Sequence, residues 1–222
     1  MTRAWFRVTL LPMCGLFSAM AVGSAGGQSF TSLCDCQSFV DIVGTVAGVP
    51  DTLGTFCVRA HDLGNNPLPG QPVTIDFGAC TDLAICRAQL PGDIVDCPTH
   101  TITATTNAAG VVCFTVVGAA KNWPAPVSGP GSNSIVVQVA GITCAHATAV
   151  VYDESGAATA GVKGGDVSDL RSLLADWGSG IYYGRSDFNH DGPPLSSLDL
   201  RAWLVRWGTG TSNDGCATTY CP

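Results

Sequence analysis

The sequence predicts a mainly β chain, an all-β sandwich followed by two short helices. Three observations carry that expectation. Between residues 38 and 153, short runs of alternating apolar side chains are separated by turn clusters rich in Gly, Pro and Asn, the spacing of a sandwich. Residues 169–180 read DLRSLLADWGSG and residues 199–210 read DLRAWLVRWGTG, so one unit recurs after 30 residues. Sixteen of the seventeen acidic residues are Asp, Glu154 being the exception. Asp favours turns, caps and cation loops over helix interiors.

The chain opens with Arg3 and Arg7, then an apolar stretch from Val8 to Val22, then small residues at Gly23-Ser24-Ala25. That is the pattern of a secretory signal peptide over residues 1–25. The stretch is short for a membrane span, and no later one reaches about 18 apolar residues, so the mature chain is expected to have none. Met13 is too large to make Leu11-Pro-Met-Cys14 a good lipoprotein signal. Loss of Arg3 and Arg7 takes the formal charge from −7 to −9. An acidic, Lys-poor surface argues against nucleic acid and anionic membranes as partners.

Cys14 leaves with the leader, and ten cysteines remain: Cys34, Cys36, Cys57, Cys80, Cys86, Cys97, Cys113, Cys144, Cys216 and Cys221. An even count in an exported chain reads as disulfides. No C-x-x-C pair favours a metal reading of them. Local loop closure favours Cys216 with Cys221 and a pair within Cys80, Cys86 and Cys97. Cys34 and Cys36 are too close to bridge each other easily, so each is expected to reach a distant partner.

Residues 26–37 are small and polar, a flexible start. Phe56-Cys-Val-Arg-Ala-His61 alternates as a strand, Leu63 to Gly70 is a turn cluster, and Pro72 to Phe77 is the next strand. Residues 78–98 read as a Cys-bearing loop. Thr99 to Thr106 is a strand, Asn107-Ala-Ala-Gly110 a turn, and Val111 to Val117 a strand with Val112, Phe114 and Val116 on one face. Residues 118–133 read as a long loop, and strands Ser134 to Ala140 and Ala145 to Tyr152 close the sheet. Small residues at 154–163 form a linker, the repeat module spans 164–210, and 211–222 is a Cys-bearing tail.

Within the module, Leu170, Leu173, Leu174 and Trp177 fall at helical spacing, as do Leu200, Trp203, Leu204 and Trp207. Each helix ends near a glycine, Gly178 or Gly208. Each is too short to persist alone, so the two apolar stripes are expected to pack on each other. Asp187, Asn189 and Asp191 place oxygen side chains at alternate positions before Gly192, the opening of a calcium loop. Residue 198, where such a loop would end, is Leu. Pro193-Pro194 adds a residue, so Leu195 takes the apolar position and Asp199 becomes the last ligand. In the first copy the equivalent positions are Ala157, Thr159 and Gly161, with only Asp166 and Asp169 acidic, so calcium there is expected to be weak or absent. His190, at the fourth loop position, is expected to face solvent. A simpler reading needs no ion. Asp166-Val-Ser-Asp169 and Ser196-Ser-Leu-Asp199 both fit capping boxes, and Asp187 to Gly192 fits a solvated Asx turn.

Two resemblances add to this. Val58-Arg-Ala-His-Asp62, Gly64-Asn-Asn-Pro-Leu-Pro-Gly-Gln-Pro-Val73 and Thr105-Thr-Asn-Ala-Ala-Gly110 resemble a strand and two turns of bacterial Ig-like domains of the invasin and intimin type. That implies an Ig-like β-sandwich over 38–153, acting as a rigid spacer or an adhesive tip. The Cys-bearing insertion at 80–97 departs from the simplest members and leaves a binding role open. Gly165-Asp-x-x-Asp-Leu170, followed by Asp187-Phe-Asn-x-Asp-Gly192 and the second helix, resembles a dockerin-type repeat. That implies calcium and a cohesin-like protein, or another cell-envelope component, as partner. Dockerins also accompany polysaccharide-degrading enzymes, which leaves glycan contact open.

No H-E-x-x-H, G-x-S-x-G or Gly-rich phosphate loop occurs, and no nucleophile-base pairing emerges around His61, His100, His146 or His190. The expected protein is therefore a secreted or cell-surface, non-catalytic adhesion or assembly protein. The alternatives are a component of extracellular polysaccharide breakdown and a purely structural envelope protein whose helical pair packs on its own β-domain.

Overall fold

The computed structural model describes residues 33–46, 49–81, 83–90, 92–120, 135–152, 167–208 and 220–221. The expected signal peptide, the expected 154–163 linker and the first-copy positions Ala157, Thr159, Gly161 and Asp166 lie outside the described residues. Among the described residues the fold is mainly β, with two α-helices near the C-terminal end. In chain order the strands are β1 (Leu33–Cys36), β2 (Phe39–Ile42), β3 (Thr45–Val46), β4 (Val49–Pro50), β5 (Thr55–His61), β6 (Pro72–Asp76), β7 (Leu83–Ile85), β8 (Ile94–Asp96), β9 (Thr101–Thr105), β10 (Val111–Thr115), β11 (Gly118–Ala120), β12 (Ile135–Val139) and β13 (Ile142–Val151). The helices are α1 (Val167–Gly178) and α2 (Ser197–Gly208).

Six strands form one sheet in the order β2-β13-β12-β6-β9-β8, and three form another, β1-β5-β10. All these pairings are antiparallel except β2 with β13. Side-chain alternation decides which face is buried. Phe56, Val58 and Ala60 of β5 and Val112 and Phe114 of β10 point inward from the smaller sheet. Val73, Ile75, Ile102, Ile135, Val137 and Val139 point inward from the larger one, and all join a single apolar cluster.

Strand β13 departs from simple alternation, because Ala147 to Val151 is buried on both faces. Ala149 and Val151 face the main core. Val150 and Tyr152 face the other way, into a second cluster with Val43, Leu173, Phe188 and Trp203. The helical pair therefore packs on the outer side of β2 and β13. The two apolar stripes therefore meet in one cluster, as expected, but they share it with the β-domain instead of covering only each other. Leu173 and Trp203 are buried in the second cluster, whereas Leu174, Trp177 and Leu204 stay exposed. The side chain of Trp207 lies outside the described residues.

Three loop assignments are also corrected. The flexible start contains β1, whose polar sequence hides a strand held by its ladder to β5 and by an Asp35–Arg59 ion pair of 3.3 Å. The 78–98 loop contains β7 and β8, and the 118–133 loop begins with β11, which pairs with β7. These strands are three residues long, too short to display a period.

The disulfides bridge distant segments: Cys34–Cys144, Cys57–Cys113 and Cys97–Cys221. Cys86 is bonded as well, while Cys36 and Cys80 carry thiols. The expected Cys216–Cys221 bridge and the local pair within Cys80, Cys86 and Cys97 are therefore not formed. Nor does Cys36 reach a distant cysteine. The physical reason is that the chain end returns to the β-domain. Cys221 N–H donates to the Ile85 carbonyl at 2.8 Å, and Tyr220 bridges to Cys86, which brings Cys221 to Cys97. Cross-links spanning 110 and 124 residues remove much loop entropy from the unfolded chain, about 4–5 kcal/mol each on the loop-closure argument.

The Asn107–Gly110 turn shows how local chemistry sets a connection. Asn107 Oδ1 accepts from the Ala109 and Val111 N–H groups, at 2.9 and 3.1 Å. Gly110 sits at φ +72°, and a Cβ there would lie 2.6 Å from the Ala60 carbonyl oxygen. Gly110→Ala adds left-handed strain to a backbone clash and is expected to cost about 2–4 kcal/mol, read by urea denaturation. A loss below about 0.5 kcal/mol would mean the turn relaxes freely.

Candidate metal centre

The second repeat copy builds a compact acidic site between a one-turn 3-10 helix, Gly184–Ser186, and α2. Asp187, Asp191 and Asp199 each offer a carboxylate oxygen within 4.8 Å of the others. Asp187 and Asp199 are buried, and Asp191 is exposed at the mouth. The extra residue at Pro193-Pro194 leaves Leu198 exposed and brings Asp199 into the cluster, while Leu195 is buried.

Local backbone chemistry sets the loop. His190 and Gly192 adopt positive φ, 60° and 84°, which turns the chain sharply and favours Gly at the second of them. The Gly192 N–H donates to Asp187 Oδ2 at 3.0 Å, and the Tyr182 hydroxyl donates to the same oxygen at 2.7 Å. Asp187 Oδ1 is buried with no hydrogen-bond partner. An ionised oxygen in that position demands compensation, because burying a charge without a partner is costly. Asn189 Nδ2 donates to Asp191 Oδ2 at 2.8 Å, and the Asn189 N–H donates to Asp199 Oδ1 at 3.3 Å. All four residues of the predicted ligand set therefore meet in one place.

Asp199 also caps α2. Its Oδ2 accepts from the Ser196 N–H at 2.7 Å, while Ser196 Oγ accepts from the Leu198 N–H at 3.1 Å. That is a capping box with the Ser196 hydroxyl on the second helical N–H instead of the third, formed by the carboxylate that also belongs to the acidic cluster, so the two readings of Asp199 are compatible. Burial, with the Asp187 charge beside it, pushes the Asp199 carboxyl above the usual carboxylate range, against the hydrogen bonds from Ser196 and Asn189. Burial and the bond to Asp187 likewise push the Tyr182 phenol up. Both shifts have the same sense: excess negative charge in a partly dehydrated pocket, which a cation would relieve. Oxygen donors alone suit a hard ion such as calcium, which takes six to eight of them. The four side chains would need carbonyl oxygens and water to complete that number.

Several residues here escape sequence reasoning. Tyr182 carries no motif signal. Asp176 and Arg185 form a buried two-pronged ion pair, with Arg185 Nε and Nη2 each 2.8 Å from a different Asp176 oxygen, and Ser186 Oγ donates to Asp176 Oδ2 at 2.7 Å. This pairing anchors the 3-10 turn to α1, immediately before Asp187. His190 does not face solvent as expected. Its ring stacks on Phe39 of β2, with centroids 4.5 Å apart and planes 9° apart, and its Nε2 lies 3.1 Å from Asp41 Oδ1. Phe188 is buried against Tyr152, centroids 5.1 Å apart. In the first copy Asp169 is buried, and its loop up to Asp166 lies outside the described residues.

Among the described residues, no helix is long and apolar enough to cross a membrane. Comparison with protein-family models, with curated proteins and with solved structures finds no match to this chain.

Proposed function

We propose that this is an extracytoplasmic, non-catalytic surface or assembly protein: an Ig-like, disulfide-stapled β-domain joined to a dockerin-like helical pair by a calcium loop. Asp187, Asn189, Asp191 and Asp199 would hold the ion. The observation that carries the reading is the buried Asp187 Oδ1, which lacks a hydrogen-bond partner and belongs to a residue clustered with two other carboxylates. Disulfides fit an oxidising compartment.

The packing of the helices on β2 and β13 favours a structural clip over a freely tethered docking module. The ion would then rigidify the protein as a spacer or adhesive element at the cell surface. A second reading keeps a docking role toward a cohesin-like partner, favoured by the exposed Leu174, Trp177, Leu204 and Val205 on the helices.

Calcium titration by calorimetry into the chelator-stripped protein tests the proposal. One site is expected, absent in Asp187→Ala. At calcium a thousandfold above Kd, linkage predicts about 4 kcal/mol of added stability in the unmodified protein. Identical melting of that protein in calcium and in chelator would sink the ion reading.

A further inference from the structure

The acidic loop has two faces. Residues 187, 189 and 191 turn toward the carboxylate cluster. The residues between them turn the other way. Phe188 is buried against Tyr152 at the end of β13. His190 stacks on Phe39 and bonds to Asp41, both on the outer face of β2. A short segment therefore faces the carboxylate cluster on one side and the β-domain on the other, with alternate residues serving each.

From this we infer that His190 and Phe39 are positioning residues for the ion: the β-domain holds the loop in its ligating conformation, and calcium in turn holds the helical pair on the β-domain. The inference rests on the calcium reading above. The physical basis is reciprocity. If docking orders the loop that binds the ion, then binding must strengthen docking by the same factor. His190 sits at positive φ, 60°, a conformation that non-Gly residues rarely adopt without support. The stack on Phe39 and the bond to Asp41 supply that support from outside the loop. Without them the loop would sample other conformations, and the ion would have to order it from its own binding energy, which lowers affinity.

Calorimetric calcium titration of the full chain, unmodified and as His190→Ala, Phe39→Ala and His190→Phe, tests the coupling. His190→Ala and Phe39→Ala are each expected to weaken calcium binding by about 5–50-fold, the range of ordinary coupling between sites. His190→Phe keeps a stacking ring and is expected to recover most of the loss. A purely structural contribution would lower the melting temperature in chelator without moving the calcium Kd. Should Phe39→Ala fail to fold, the half-exposed His190 carries the test alone. Variant affinities within twofold of the unmodified protein would overturn the coupling and leave the ion site standing. Absence of calcium binding in the unmodified protein would overturn both.

Discussion

Replacing Arg185 with alanine is expected to cost about 3–5 kcal/mol of stability. The guanidinium grips both oxygens of Asp176 at 2.8 Å, and the two side chains are only 5% and 7% exposed. Truncating the arginine leaves a buried carboxylate that still accepts from the Ser186 hydroxyl, and one hydroxyl does not replace a cation. Lysine is not a conservative replacement, because it cannot make the planar two-pronged contact. The decisive comparison is the double variant Arg185→Met with Asp176→Leu. Removing both charges at once avoids the uncompensated carboxylate, so the pair should recover much of the loss. Urea denaturation reads all three, and a cost below about 1 kcal/mol for Arg185→Ala would place the pair among weak surface bridges. Because Ser186 adjoins Asp187, the single variant should also disturb the acidic loop.

Trp203→Ala is expected to cost about 3–5 kcal/mol and to release the helices from the β-domain. Trp203 is 1% exposed and stands among the largest fully buried side chains. It shares a buried cluster with Val43, Val150, Tyr152, Leu173 and Phe188, so its removal opens a cavity where the two parts of the fold meet. Trp177→Ala is the control. That indole is 38% exposed, and its loss should cost under about 1 kcal/mol. Limited proteolysis between Glu154 and Gly165 gives a second readout. Trp203→Ala should be cut faster there, and Trp177→Ala should behave as the unmodified protein. Equal cleavage in all three would mean that the second cluster does not hold the helices in place.

Much of the site was legible in sequence. Alternating oxygens at Asp187, Asn189 and Asp191, the turn at Gly192 and the late Asp199 are local features, and their spacing already implies one loop. The helical repeat was legible for the same reason: apolar residues at 3.6-residue spacing state where a helix lies. They do not state what covers it. Leu173 and Trp203 hold equivalent places in the repeat and both are buried, yet Leu174 and Leu204, also equivalent, are exposed. The β-domain covers only part of each stripe, and nothing in a single helix says which part.

By itself, then, the sequence determined what short-range sterics control. That includes the principal strands, the two helices, the Asn107–Gly110 turn, the capping box at Ser196 and the acidic loop. Tertiary structure alone decided which distant segments meet. Cys221 goes to Cys97 rather than to Cys216's end of the tail because the chain end lies beside β7. Both faces of β13 are buried because helices from beyond the 154–163 segment cover its outer side. His190 faces Phe39 and Asp41, 149 residues away from the latter, because the loop is trapped between the helices and that sheet. Local periodicity reports the preferences of a few consecutive residues. Partnership across more than a hundred residues depends on where the folded chain brings each surface, and no window of sequence contains it.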